Sequence, residues 1–264
     1  MYDDLKGKRA LITGASRGIG AAIARRLARE GCDIVGVARS EPHLLALQRE
    51  ITEETGRKVD IALIDMGAEG SARSLAERFG DIDILVNNAG DDPHGSLADI
   101  DERAWRQAWN VKAFAYVDMC REYYRLMQAR GGGVIVNVLG IAHHRKDPDY
   151  ILGATSVASL SAFTQALGSN SLRHNIRVLA VNPGLTATAR VFKAKDAEAA
   201  AMADDSAQSR ARFTEFADEV AQRMGRTRAA DPAEIAAFVA FAVSAQGSYL
   251  TGAGFSVDGG ASRS

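Results

Sequence analysis

The segment TGASRGIG, residues 13–20, has the residue types needed to bind a phosphate group. Glycines at positions 14, 18 and 20 allow a tight turn and a close approach of the backbone. A helix that begins here would direct free amides and the positive end of its dipole at an anion. The spacing differs from GxGxxG, and the lysine of a P-loop is absent. The segment therefore predicts a pyrophosphate-binding turn, although a purely structural turn between a strand and a helix also uses glycine.

The elements that must position this turn follow from hydrophobic periodicity. Short runs of Val, Ile and Leu alternate with helix-period stretches, a pattern typical of a parallel sheet covered by helices on both faces. The predicted strands are Arg9–Thr13, Asp33–Ala38, Val59–Ile64, Ile82–Asn87, Val134–Val138, Ile176–Val181 and Gly254–Val257. The predicted helices lie near Ile19–Glu30, Pro42–Thr55, Ser71–Phe79, Asp101–Arg130, Ala154–Leu172 and Pro232–Val243. We predict one doubly wound, Rossmann-like α/β domain over residues 1–264, with a seven-stranded parallel sheet.

One region departs from this alternation. Residues 186–227 have helical propensity and no strand, which predicts a helical insertion that covers the substrate as a lid.

Composition narrows the class of ligand. The chain has 264 residues, of which 47% are hydrophobic, so it can bury one large core. Its 32 basic and 33 acidic residues give a net charge of -1 without a long run of one sign, so neither nucleic acid nor an anionic membrane is indicated. Cys32 and Cys120 lack metal or redox spacing, which favours a reduced, cytoplasmic setting. No run reaches the ~18 continuous apolar residues of a membrane span. We expect a small-molecule ligand.

Four further motifs follow the glycine turn. NNAG stands at 87–90, Asn110 lies in WNVKAF, NPG stands at 182–184 and VDGG at 257–260. Through these motifs, in this order, the chain resembles the short-chain dehydrogenase/reductase family over almost its whole length. The resemblance implies a nicotinamide dinucleotide bound across the carboxyl ends of the strands. It also implies a dimer or tetramer, because the C-terminal segment usually packs against a second subunit in this family.

The resemblance assigns cofactor contacts residue by residue. The pyrophosphate turn would be lined by Gly14, Ser16, Gly18, Ile19 and Gly20. The adenine would be held by Asp65 and Met66, and the ribose would be flanked by Asn88, Ala89, Gly90 and Val111. The nicotinamide would be faced by Pro183, Gly184 and Thr186.

The end of the second predicted strand decides between NAD and NADP. A carboxylate there would bind the ribose 2'-hydroxyl of NAD, whereas arginine favours the 2'-phosphate of NADP. The acidic position of the family falls on Ala38, and Arg39 follows it. Arg17 in the glycine turn adds a second cation. Both arginines could be solvated surface charges, but the missing carboxylate predicts NADP(H) rather than NAD.

The residues that carry hydride-transfer chemistry in this family are missing from their expected positions. The family uses a serine at a strand end, a tyrosine 13 residues later and a lysine one helical turn beyond. Counting places these positions on Leu139 or Gly140, on Gly153 and on Val157. Counting back from the strand at 175–178 gives the same register. None of these side chains can transfer a proton.

Tyr150 is the nearest candidate for proton transfer. The loop HHRKDPD at 143–149 could adjust its pKa through a cation or a hydrogen bond. His143 and His144 are acid–base candidates in their own right. In the alternative interpretation, Tyr150 packs over the start of a helix and both histidines are solvated.

Three functions fit this pattern. We favour an atypical NADP-dependent oxidoreductase that acts on a small carbonyl or alcohol and uses Tyr150. The alternatives are a protein that binds NADP(H) without turnover, as a sensor or an oligomer partner, and a lyase or isomerase. Asn110, where the family anchors a proton-relay water, either keeps that role or bonds backbone at a helix irregularity, and we favour the second.

Two other groups of residues attract attention. Trp105 and Trp109 are four residues apart on a predicted helix, which indicates packing on one face. Asp91, Asp92 and His94 follow NNAG, but no further ligand has metal-site spacing, so we predict a solvated loop and no metal.

Overall fold

A computed structural model of the chain describes residues 1–90, 92–189 and 207–262. Seven strands form one parallel sheet in the order β3-β2-β1-β4-β5-β6-β7. This arrangement is doubly wound, since the chain crosses from one edge of the sheet back to its centre between β3 and β4, and it confirms the predicted fold. The strands are β1 Arg9–Thr13, β2 Asp33–Ala38, β3 Val59–Leu63, β4 Ile84–Asn87, β5 Gly133–Val138, β6 Ile176–Pro183 and β7 Gly254–Val257.

Helices cover both faces of the sheet. Apolar residues of α1, α2 and α9 pack on one face, and those of α3, α5 and α7 pack on the other. Adjacent residues of one strand therefore enter different clusters, as Leu11 and Ile12 of β1 do. The helices are α1 Gly18–Arg29, α2 Glu41–Thr55, α3 Ser71–Arg78, α4 Glu102–Trp109, α5 Ala115–Arg130, α6 Ala142–Arg145, α7 Ile151–Gly168, α8 Ala207–Arg223 and α9 Pro232–Val243.

The predicted helix Asp101–Arg130 is wrong in its middle. The segment Asn110–Phe114 forms a π-helical turn between α4 and α5. Such a turn inserts one residue into the helical register, and periodicity over 30 residues does not resolve so small a change. The insertion rotates the residues of the turn relative to α4.

The predicted helix Ala154–Leu172 has the wrong bounds. Helix α7 begins three residues earlier, at Ile151, and ends at Gly168, after which residues 171–174 form a 3-10 turn. Tyr150 is thereby the residue that precedes the helix. The short helix α6 was not predicted, because four residues give no detectable periodicity.

Part of the predicted lid falls outside the described residues, namely 190–206. The described part contains α8, where Ala217 is buried in a small cluster with Ala187 and Ala229. The backbone amide of Ala229 donates to Asp218 at 2.7 Å. The role of this region as a lid stays a prediction.

Arg177 of β6 caps the end of α9 from inside the protein. Its side chain is buried, and its guanidinium donates to the carbonyls of Ala242, Val243, Ser244 and Gly247. The last carbonyls of a helix lack intrahelical partners, so this fork satisfies groups that water does not reach. Burial holds the pKa of Arg177 below its ordinary value.

The two cysteines are free and fully buried. Burial raises the pKa of each thiol to about 12. Both thiols are therefore neutral and poorly reactive at pH 7.

Helix α7 is long and apolar enough, by length and composition alone, to cross a membrane. It contains no Asp, Glu, Lys or Arg. In the fold it packs against β6, and Leu152, Val157 and Leu160 are buried. A helix from the core of a folded domain has the same composition, so this observation is weak evidence for a membrane span.

Candidate active site

The glycine turn lies at the carboxyl end of β1 and opens α1. Gly14 and Gly18 have φ values of 68° and 57°, in the left-handed region that glycine adopts without strain. A Cβ on Gly20 would lie 2.3 Å from the Gly14 carbonyl oxygen and 2.5 Å from Asn88 Nδ2. No side chain caps the first amides of α1. Those amides are therefore available to an anion, as a pyrophosphate requires.

The NNAG turn after β4 is fastened to the glycine turn. Thr13 Oγ1 accepts from the backbone amides of Asn88 at 2.9 Å and Ala89 at 3.1 Å. Asn88 Nδ2 donates to the Thr13 carbonyl at 3.0 Å. These bonds fix the ends of β1 and β4 side by side, so the predicted pyrophosphate and ribose contacts lie in one groove.

The predicted adenine end carries exposed cations. Arg39 Nη1 lies 3.9 Å from Asp65 Oδ2, and both side chains are more than half exposed. Ala38 and Met66 are buried, whereas Arg17 is exposed at the start of α1. No carboxylate therefore stands at the end of β2, and two guanidinium groups are accessible near it.

Lys112 was missed by sequence reasoning. It lies in the π-helical turn and is only 4% exposed. Its Nζ donates to the Val138 carbonyl at 3.3 Å and to Tyr116 Oη at 3.4 Å. A Cβ on Gly90 would lie 2.7 Å from Lys112 Cδ. This ammonium therefore lies between the ends of β4 and β5, beside the turn predicted to flank the ribose. A continuous-helix register could not reveal this placement.

The predicted nicotinamide contacts lie at the end of β6. A Cβ on Gly184 would lie 2.8 Å from the Asp258 Cα, so only glycine fits where β6 meets the C-terminal segment. Thr186 is buried, and its hydroxyl donates to the Gly184 carbonyl at 3.0 Å. On the ribose side, Val111 packs against Gly67, where a Cβ would lie 2.8 Å from its methyl group.

Tyr150 folds back over the first turn of α7. A Cβ on Gly153 would lie 2.2 Å from Tyr150 Cζ, so the aromatic ring occupies the space beside that glycine. The ring stacks on His94 with centroids 4.3 Å apart. Tyr150 Oη donates to Asp92 Oδ2 at 3.5 Å. The expected tyrosine position and Tyr150 thus share one place in the structure.

The prediction of a solvated loop is wrong for Asp92, which is 4% exposed. Asp92 Oδ2 also accepts from Ser156 Oγ at 3.4 Å. The burial arises because Gly95 donates its amide to the Asp149 carbonyl at 2.8 Å, which folds the segment after NNAG onto the start of α7. Ser156 was not predicted, since a helical serine gives no sequence signal. Asp91 lies outside the described residues.

Residues 1–90, 92–189 and 207–262 contain no group of three His, Cys, Asp or Glu side chains that could hold a metal.

His143 is half-buried rather than solvated. Burial lowers the pKa of His143, and His144 acts in the same direction, whereas a hydrogen bond with the Gly140 backbone opposes them. The two imidazole centroids lie 3.8 Å apart. His143 is therefore neutral at pH 7, and its buried Nδ1 makes no hydrogen bond.

The expected serine and lysine positions lie in apolar packing. Leu139 and Val157 form a buried cluster with Tyr116 and Leu160. Asn110 begins the π-helical turn with an exposed side chain, at the helix irregularity that the sequence suggested.

The family model described as short chain dehydrogenase matches residues 8–199. The chain belongs to the short-chain dehydrogenase family. It is similar to L-sorbose reductase from Gluconobacter frateurii, solved with NADPH and L-sorbose, with 30% identity, a TM-score of 0.85 and 100% of both chains covered. A short-chain dehydrogenase from Burkholderia cenocepacia in complex with NADP is 34% identical, with a TM-score of 0.79 and coverage of 98% and 99%. D-xylose 1-dehydrogenase of Caulobacter vibrioides is 33% identical over 73% of this chain and 77% of its own length. These relatives are oxidoreductases.

Proposed function

We propose that this chain is an NADP(H)-dependent oxidoreductase that interconverts a carbonyl and an alcohol on a small molecule, with Tyr150 in place of the usual serine, tyrosine and lysine. The observation that carries the proposal is the anion-binding groove. The uncapped amides of α1 meet Gly14 and Gly20 there, and no space remains for a side chain at either glycine. A dinucleotide pyrophosphate fits this groove by charge and by shape.

Arg39 and Arg17 support NADP rather than NAD. Both are accessible near a β2 end without a carboxylate, so a 2'-phosphate meets positive charge and no repulsion. The NADP and NADPH complexes of two relatives agree with this choice.

Arg39→Ala is expected to raise the dissociation constant of NADPH by ~10-fold or more, equivalent to about 1.4 kcal/mol, and to leave that of NADH unchanged. The reason is loss of a charge-assisted bond that only the 2'-phosphate makes. Fluorescence titration with both dinucleotides measures this. Arg49→Ala on the exposed face of α2 is the control. Equal weakening of both dinucleotides would contradict the assignment of Arg39 to the phosphate.

When bound, the nicotinamide supplies the hydride acceptor or donor. The protein must then hold the substrate oxygen and move one proton at that oxygen. Tyr150 is the group suited to this step, because its phenol lies at the start of α7 and is only partly buried. Lys112, beside Gly90, places positive charge near the predicted ribose.

Tyr150→Phe is expected to lower kcat by ~100-fold or more, since general acid–base catalysis contributes about 100- to 10,000-fold. NADPH affinity should stay the same. The assay follows oxidation of NADPH with a panel of ketoses, aldoses and simple ketones. Tyr124→Phe, a half-buried tyrosine bonded to His174 on α5, is the matched control. Full activity of Tyr150→Phe would remove Tyr150 from the chemistry.

A second candidate is a protein that binds NADP(H) without turnover. The apolar cluster of Leu139, Val157 and Leu160 favours it, because no proton-transfer group can act from those positions. Tight NADPH binding with no turnover over the whole panel would establish this alternative.

The substrate class is proposed from the relatives. L-sorbose and D-xylose are small polyhydroxylated sugars. We therefore place sugars and their ketones first in the panel. We also propose a dimer or tetramer in the cytoplasm, and the two free buried cysteines are compatible with a reducing compartment.

A further inference from the structure

Asp92 is a buried carboxylate that the fold itself does not require. It lies just after the NNAG turn, and no described residue forms an ion pair with it. Its Oδ1 is buried without a hydrogen-bond partner, and its Oδ2 accepts only from Tyr150 and Ser156. Burying a carboxylate costs free energy that two long hydrogen bonds to hydroxyl groups do not offset. A carboxylate in such surroundings is typical of a functional site.

The chain holds Tyr150 against Asp92 by several contacts. The backbone bond from Gly95 to Asp149 joins the two segments, and His94 stacks on the outer face of the phenol ring. Gly153 leaves room for that ring, since any Cβ there would overlap it. The phenol therefore has one face on His94, an edge on α7 and its hydroxyl directed at the carboxylate.

The pair has the parts of a proton relay. Tyr150 is partly exposed, so its oxygen can meet a substrate, whereas Asp92 lies behind it out of reach of solvent. A phenol is a weak base donor and acceptor unless a neighbouring group takes or returns its proton. Distances of 3.4–3.5 Å are long for hydrogen bonds, as is common in active sites without substrate.

We propose that Asp92 is the positioning residue that receives the proton of Tyr150 during catalysis; this inference depends on the proposed oxidoreductase function. In alcohol oxidation the carbinol carbon gives its hydride, with two electrons, to the oxidised nicotinamide. The hydroxyl proton passes to Tyr150 Oη while the phenol proton passes to Asp92 Oδ2, and the substrate C–O bond becomes C=O. Carbonyl reduction follows the same path in reverse. Ser156 holds Oδ2 in line with the phenol.

Two measurements test the pair. In Asp92→Asn, kcat should fall by ~30-fold or more while the KM for substrate and the dissociation constant of NADPH change by less than about twofold. Independently of activity, the ionisation of Tyr150, followed at 295 nm as the difference between each protein and its Tyr150→Phe version, should have its midpoint about one pH unit lower in Asp92→Asn. A carboxylate beside a phenol disfavours the phenolate, so its removal favours ionisation.

Charged groups on the adjoining elements stay constant in this comparison. Helix α7 has none, and the others are His94, Lys112, His143, His144, Arg145, Lys146, Asp147 and Asp149.

Three further variants separate a relay from a structural role. Asp92→Glu should recover part of kcat, because it restores the carboxylate. Gly153→Ala should lower kcat as Tyr150→Phe does, because the methyl group displaces the ring without altering any polar group. Glu30→Gln removes an equally buried carboxylate that binds Tyr2 and Arg26. It should lower the melting temperature and leave kcat unchanged.

An Asp92→Asn protein with kcat within threefold of the parent, or with an unchanged midpoint for Tyr150, overturns the inference while the oxidoreductase function stands. A parent protein that binds NADPH but turns over no substrate ends both the proposed function and the relay. A fall in kcat matched by an equal fall in thermal stability and in NADPH affinity also overturns it, since that pattern reports misfolding.

Discussion

Gly20→Ala is expected to raise the dissociation constant of NADPH by ~100-fold or more, equivalent to about 2.7 kcal/mol. The added methyl group would lie 2.3 Å from the Gly14 carbonyl oxygen and 2.5 Å from Asn88 Nδ2. Neither atom belongs to a flexible chain end, because Asn88 is bonded to Thr13. The glycine turn must therefore open, and its amides leave the positions that bind pyrophosphate. Fluorescence titration with NADPH measures the loss.

Gly56→Ala is the matched control. Gly56 also has a left-handed φ, at the end of α2, but nothing lies within 4 Å of its Cβ position. Alanine there costs about 1 kcal/mol of stability from backbone conformation alone and should leave NADPH binding intact. If Gly20→Ala bound NADPH like the parent at an unchanged melting temperature, the groove would not be the cofactor site.

Arg177→Met is expected to lower the free energy of unfolding by about 3 kcal/mol or more. The substitution keeps the apolar stem but leaves four carbonyls at the end of α9 without a charged donor. Arg177→Lys should recover only part, because an ammonium cannot fork across four acceptors. Urea unfolding followed by circular dichroism measures the change.

The control for Arg177 is Arg106→Met. Arg106 pairs with Glu102 on the surface of α4, where both side chains are more than 70% exposed. Its loss should change stability by less than about 0.5 kcal/mol. Equal effects of the two substitutions would show that the buried fork contributes no more than a surface ion pair.

Secondary structure was predictable where it repeats over many residues. The strands and the glycine turn follow from local periodicity, and the predicted strand ends differ from the observed ones by two residues or fewer. The π-helical turn was not predictable, because a single inserted residue leaves the pattern of α4 and α5 nearly unchanged. Its consequence, the burial of Lys112, was therefore also missed.

The candidate site divides in the same way. Cofactor contacts fall on motifs, so they could be assigned position by position. The burial of Asp92 depends on a backbone bond between Gly95 and Asp149, residues 54 positions apart in the numbering of that bond, and no local pattern encodes it. Tyr150 was identifiable as a candidate, but its overlap with Gly153 appears only in three dimensions.

That overlap has an evolutionary consequence. A tyrosine restored at position 153 would collide with the ring of Tyr150, and a lysine restored at position 157 would enter the apolar cluster around Leu139 and Leu160. No single substitution therefore leads back to the usual family site without a loss of stability on the way. A lineage that acquired Tyr150 together with Gly153 is separated from the ancestral arrangement by intermediates that fold less well, and drift alone tends to keep it on its present course.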